Sequence, residues 1–132
     1  MDEKIRSFIE KNSAAFMCTL KRDGTPHVVR MDCGLVDGKL WSSGTQDRVR
    51  TKHLRRDPRA TLALPNLSKS YEWLTLECTV RILDGPDAVE QNLTLYRVLA
   101  GEPHDLDEYR EAMVKEKRLI YEFEILKAYG QY

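Results

Sequence analysis

Apolar and polar positions along the chain fall into two periods, and their alternation predicts a mainly β protein edged by a few helices. Ile5, Phe8 and Ile9 recur at helical spacing near the start, which predicts a short helix lying over a core. "AFMCTL" then alternates, "RDGTP" supplies an Asp-Gly turn at Asp23 and Gly24, and "HVVRMDCGLV" places Val29, Met31, Cys33 and Leu35 on one face. A second Asp-Gly pair, Asp37 and Gly38, turns the chain into "KLWSSG". Two tight turns between alternating runs predict a three-strand antiparallel meander. A short basic helix follows, ended by Pro58, and then the strand "RATLAL".

In "YEWLTLECTVRIL" one face carries Leu74, Leu76, Cys78, Val80 and Ile82, and the other Tyr71, Trp73, Thr75, Glu77, Thr79 and Arg81. Beyond "DGPD" a helix with a stripe of Val89, Leu93, Tyr96 and Ala100 stops at Gly101. A further helix groups Leu106, Tyr109 and Met113, and "RLIYEFEILKAYG" closes the chain as a strand. Six or so antiparallel strands with peripheral helices predict a small closed or nearly closed barrel in a single domain over residues 1–132.

Composition narrows the function. Lys plus Arg number 21 and Asp plus Glu 21, so no overall field draws the chain to nucleic acid or a membrane. No apolar run is long enough for a membrane span and the start is unlike a signal peptide, which places the chain in the cytoplasm. Cys18, Cys33 and Cys78 are spread over strand-like runs and read as reduced, small apolar groups. There is no glycine-rich phosphate loop, paired-cysteine metal pattern or nucleophile elbow, and His27, His53 and His104 read as ordinary histidines. A metal is not expected, and no side chain stands out as catalytic.

One local charge run breaks that balance. "SSGTQDRVRTKHLRRDPR" sets Arg48, Arg50, Lys52, Arg55, Arg56 and Arg59 after a strand end. With Thr45 as a cap, the free N–H groups and dipole of the new helix favour an anion. Thr45, Arg48, Arg50 and Lys52 are expected to form that anion site, while Arg55, Arg56 and Arg59 read as solvated charge. Tyr71 and Trp73, exposed on the polar face of their strand, call for a planar ligand or a second subunit to cover them. Val28 and Arg30 lie on the non-core face of their own strand. An anion site beside a flat aromatic patch suits a phosphorylated ring cofactor, an isoalloxazine or a deazaflavin.

The pieces "GTPHVV", "SSGTQDRVRTKHLRRDPRATLAL", "YEWLTLECTV" and "VKEKRLIYEFEILKAYG" together resemble the split-barrel flavin- and deazaflavin-binding proteins related to pyridoxamine 5'-phosphate oxidase, in the branch that uses coenzyme F420. The resemblance implies an FMN-binding-like split β-barrel and a homodimer with two cofactor sites between subunits. It implies a phosphate held by Ser43, Gly44, Thr45, Arg48, Arg50 and Lys52. The ring is implied to lie along His27, Val28 and Arg30, closed by the other subunit's Tyr71 and Trp73. Arg50 stands where members of the branch often have lysine, and the chain ends in "AYGQY" without the arginine-containing substrate motif of the true oxidases. The implied activity is hydride transfer from reduced F420 to an unsaturated small-molecule acceptor. The alternatives are an FMN-dependent oxidoreductase and a non-catalytic binder of flavin, deazaflavin or tetrapyrrole; nucleic-acid binding by "RVRTKHLRR" ranks last.

Overall fold

A computed structural model describes residues 1–69 and 71–132, which form seven strands and four helices. Helix α1 (Glu3–Lys11) starts at Asp2, whose carboxylate accepts from the Lys4 amide at 2.7 Å, and it buries Phe8 and Ile9. Strands β1 (Ala14–Leu20) and β2 (Pro26–Asp32) form a hairpin in which Asp23 accepts from the Thr25 amide and Gly24 takes φ 86°. Strands β3 (Gly34–Val36) and β4 (Lys39–Thr45) form a second hairpin. Its turn residues Asp37 and Gly38 have φ 49° and 76°, the two positive values that a turn matched to strand twist requires.

Helix α2 (Val49–Arg56), β5 (Arg59–Pro65) and β6 (Trp73–Leu83) come next, then α3 (Ala88–Ala100), α4 (Leu106–Lys115) and β7 (Arg118–Gln131). All strands join one antiparallel sheet in the order β2-β1-β5-β6-β7-β4-β3. The two edge strands, β2 and β3, are joined in the chain by Cys33 alone. The sheet therefore has to roll until its edges meet, and the Ser42 hydroxyl, donating to the Asp32 carbonyl at 2.8 Å, ties β4 to the end of β2 across the seam. A register shift at Glu77/Cys78 divides the long β6–β7 ladder. β5 pairs with β6 only up to Thr79, and β4 pairs with β7 only as far as Phe123. The barrel is split.

Two expectations need correction here. The run from Val29 to Leu35 is not one strand, so the meander becomes two hairpins at opposite edges and the strands number seven. The break has a packing cause: a Cβ on Gly34 would lie 3.1 Å from Leu99 and 3.3 Å from Val98, so α3 presses against bare backbone there. The stripe on α3 is also turned. Ala88, Asn92 and Leu95 are buried, with Leu95 and Leu99 packing on Val36, Trp41 and Ile120 outside the barrel. Of the expected stripe, Leu93 is buried, but Val89 and Tyr96 lie against α4, Tyr96 with its ring 5.0 Å from that of Tyr109. Asn92 tolerates burial because its amide donates to the Ala88 and Leu119 carbonyls and its Oδ1 accepts from Ser43.

The barrel interior is filled by Met17, Leu62, Leu64, Leu74, Leu76, Leu119 and Tyr121, with Leu54 of α2 among its buried neighbours. Cys33 and Cys78 belong to the same core, and burial pushes both thiols up to about 12. No helix among the described residues is long and apolar enough to cross a membrane.

Candidate functional site

The junction of β4 and α2 is built around a glycine and a tyrosine. Gly44 is the last inward-facing position of β4, and a Cβ there would overlap the Tyr121 ring. Tyr121, fully buried on β7, shares a short hydrogen bond with the Thr51 hydroxyl of α2. The Thr51 hydroxyl in turn sits 2.6 Å from the Thr45 carbonyl as donor. A buried polar chain therefore fixes the first turn of α2 to the two strands beneath it.

Arg50 lies over this chain. Its guanidinium carbon is 6.0 Å from the centroid of the Tyr121 ring, and its Nε is buried with no hydrogen-bond partner. An orphaned donor on a permanent cation is costly unless an acceptor arrives from outside. The helix offers nothing to replace it. Its N-cap is Arg48, no side chain caps the first turn, and no acidic residue stands there. The sequence-based expectation that Thr45 caps the helix is therefore corrected: Thr45 is the last residue of β4, too early for its hydroxyl to reach the first turn, and its carbonyl takes the Arg48 amide instead.

The remaining basic side chains divide cleanly. Arg55 pairs with Asp84 at 2.9 Å and Arg59 with Asp57 at 2.8 Å, which holds the Asp57 carboxyl at about 2; Arg56 donates to the Leu20 carbonyl. Among the described residues no ion pair involves Arg48, Arg50 or Lys52. Three cations are left uncommitted at an uncapped helix start, which is the physical description of an anion cradle.

The other expected site residues scatter. Ser43 points the opposite way from Gly44 and donates to Asn92 Oδ1, with Arg118 Nη1 3.5 Å away. Val28 and Arg30 face outward on β2, while His27 alternates to the inner face, where its ring meets that of His53 at 5.0 Å and 87°. His53, on the buried side of α2, has its Nδ1 2.9 Å from the Thr19 hydroxyl. Tyr71 is exposed just before β6, and Trp73 opens that strand with its ring edge-on to Tyr129 at 6.2 Å. Along the outer face Phe16 is registered with Arg30 on one side and Ala63 on the other, and Ala63 continues through Thr75 to Tyr129. Phe16, Val28, Trp73 and Tyr129 are 47%, 58%, 43% and 40% exposed, so one face of the sheet presents a band of apolar side chains.

The parts of this site that pattern reasoning missed are Tyr121, Thr51 and His53. Tyr121 reads as one more core position of a strand; it is registered against Ser42, and only its ring leaning over Gly44 two residues on marks it out. No group of His, Cys, Asp and Glu among the described residues is arranged to hold a metal ion.

Comparison with known proteins gives the setting. A family model described as pyridoxamine 5'-phosphate oxidase matches residues 1–132. A conserved hypothetical protein from Mycobacterium tuberculosis superposes with a TM-score of 0.83 at 21% identity, over 99% of this chain and 84% of the other. An F420 reductase gives 0.78 at 18% identity, over 98% of each chain. A heme binding protein from Mycobacterium smegmatis gives 0.74 at 16%, over 98% of this chain and 54% of its own. At such identities the likeness is one of fold.

Proposed function

The chain belongs to the pyridoxamine 5'-phosphate oxidase family, and on that premise we propose that it is a homodimeric reductase that holds coenzyme F420 and passes a hydride to an unsaturated small-molecule acceptor. The observation that carries the reading is the buried, unpartnered Nε of Arg50 above Tyr121 at the uncapped start of α2. It fits the negative group of a phosphorylated cofactor, with the first-turn amides and Lys52 completing the cradle. Arg48 and Lys52 are exposed cations with no carboxylate partner of their own, so they suit a tail bearing several negative groups better than the single phosphate of FMN.

Bound in its reduced form, the deazaflavin supplies the hydride. The protein supplies position. Val28 and Arg30 offer the outer edge of β2 to the ring, and Tyr71 and Trp73 of the second copy cover it while the apolar sheet face is buried between subunits. Covering the site excludes water from the transfer. The F420 reductase of like fold supports the deazaflavin branch, and the heme binding protein of like fold supports the rival in which the barrel holds a ring without turning it over.

Replacing Arg50 with Glu separates the cradle from the fold. A charge-assisted hydrogen bond to a phosphate contributes about 1.5–3 kcal/mol, so affinity for F420 should fall at least about tenfold while Tm changes little. Unchanged affinity would remove the cradle from the account. Oxidation of the reduced cofactor by a conjugated ketone such as 2-cyclohexenone supports the reductase; binding without oxidation by any conjugated acceptor leaves a binder.

A further inference from the structure

The His27–His53 contact has no part in the cradle, yet it lies where three elements meet. His53 is 8% exposed on the inner side of α2, its Nδ1 bonded to Thr19 of β1, and Thr19 is itself buried opposite His27 in the β1–β2 ladder. The His27 ring stands edge-to-face against His53, with its own Nδ1 buried and unpartnered. Two residues before His53 on the same helix is Thr51, which anchors to Tyr121, and flanking that anchor are Arg50 and Lys52. The helix is therefore seated by Thr51 on Tyr121 and by His53 on Thr19, with Lys52 between these two points and Arg50 just before them.

The surroundings of His53 are one-signed. On α2 itself stands Arg56, from the end of the β1–β2 hairpin comes Lys21, and from β2 comes His27. The carboxylate at the end of α2, Asp57, is engaged by Arg59. Thr19 offers the ring a hydroxyl at 2.9 Å but no charge, so nothing there offsets a proton gained by His53. Burial lowers the His53 ring below its ordinary 6.5, with His27, Arg56 and Lys21 acting in the same direction.

We propose that His53 is a positioning residue for the anion cradle: in its neutral form, packed on His27 and bonded to Thr19, it seats α2 so that Arg50 and Lys52 converge, and a proton on it releases that seat. The proposal rests on the cradle reading for its consequence and on the geometry of α2 for its substance. The direction in pH is fixed by linkage. The unfolded chain takes up the His53 proton at higher pH than the folded one, so this contribution to stability is complete above about 6.5 and is lost as pH falls below it.

The test is an NMR pH titration of the free protein from 8 to 5, following the His53 ring protons and the amides of Val49–Lys52, with F420 affinity measured at both ends. The expected result is one shared midpoint below that of an ordinary histidine, with affinity about tenfold weaker on the acid side. His53→Asn, which keeps a polar atom near Thr19 but does not titrate, should keep the amides and the affinity flat across the range. Thr19→Val should shift the same amides at every pH. Val49–Lys52 amides that ignore the His53 midpoint in the wild type, or a His53→Asn protein that keeps the full pH dependence, would overturn the proposal. If F420 does not bind at pH 8, the cofactor reading fails, and the amide titration still decides whether His53 seats α2.

Discussion

At the scale of single residues, Gly44 and Arg50 make opposite demands on the same ring. Gly44 must lack a side chain so that Tyr121 can fill the end of the barrel, and Arg50 uses the face of that ring as a platform. Gly44→Ala should therefore force Tyr121 aside, with a loss of stability of about 1–3 kcal/mol, the usual range for overpacking, measured as a drop in Tm. Its effect on cofactor affinity should exceed that of a cut of similar stability placed elsewhere in the core. The cysteines give a second check. Cys33 and Cys78 are buried with thiols raised to about 12, and Cys18 is only half-buried on the outer face. A thiol reagent at neutral pH should spare Cys18, which is registered beside Val28 on the face a second copy is proposed to cover, until the dimer is broken, and should reach the other two only after unfolding. Fast labelling of all three would mean that the core opens readily at the β2–β3 seam.

At the scale of elements, α2 is held by tertiary contacts more than by its own sequence. It is short, uncapped and strongly basic, and its fixed position comes from Leu54 in the core, Thr51 on Tyr121 and His53 on Thr19. Thr51→Val should leave the Tyr121 hydroxyl without its partner, at about 1–3 kcal/mol, and should loosen α2 before the rest of the barrel, visible as faster amide exchange across Val49–Lys52. Exchange no faster than in the wild type would place the anchor elsewhere. Such tertiary control also explains what pattern reading could find. Strand alternation, both Asp-Gly turns and the helix stop before Pro58 are local signals, and each is in the structure. The split of Val29–Leu35 is not local: it depends on α3 pressing against Gly34, a contact made by residues more than sixty positions later. Asn92 was unreadable as a core position for the same reason, because its acceptors and donors are on β4 and β7. In the site, charge and position marked Arg48, Arg50 and Lys52 and set Arg55, Arg56 and Arg59 apart, but only packing reveals that Asp84, the Leu20 carbonyl and Asp57 engage the latter three.

At the scale of the molecule, the outer face of β2-β1-β5-β6-β7 is the feature that one copy leaves unexplained. Phe16, Val28, Trp73 and Tyr129 stand on it beside charges such as Arg30 and Lys127. We propose that a second copy of the chain covers this apolar face. If a second copy completes the site, Val28→Asp should convert the protein to a monomer by light scattering and weaken cofactor binding with it. A monomeric wild type would instead leave Tyr71 and Trp73 with no ring to cover.

The most direct test of the central claim is a side-by-side fluorescence titration of the purified wild-type protein with coenzyme F420 and with FMN. The account predicts saturable binding of F420, at least about tenfold tighter than that of FMN, because Arg48 and Lys52 reach charges that FMN lacks. Equal or tighter binding of FMN, or saturation by neither, would contradict it.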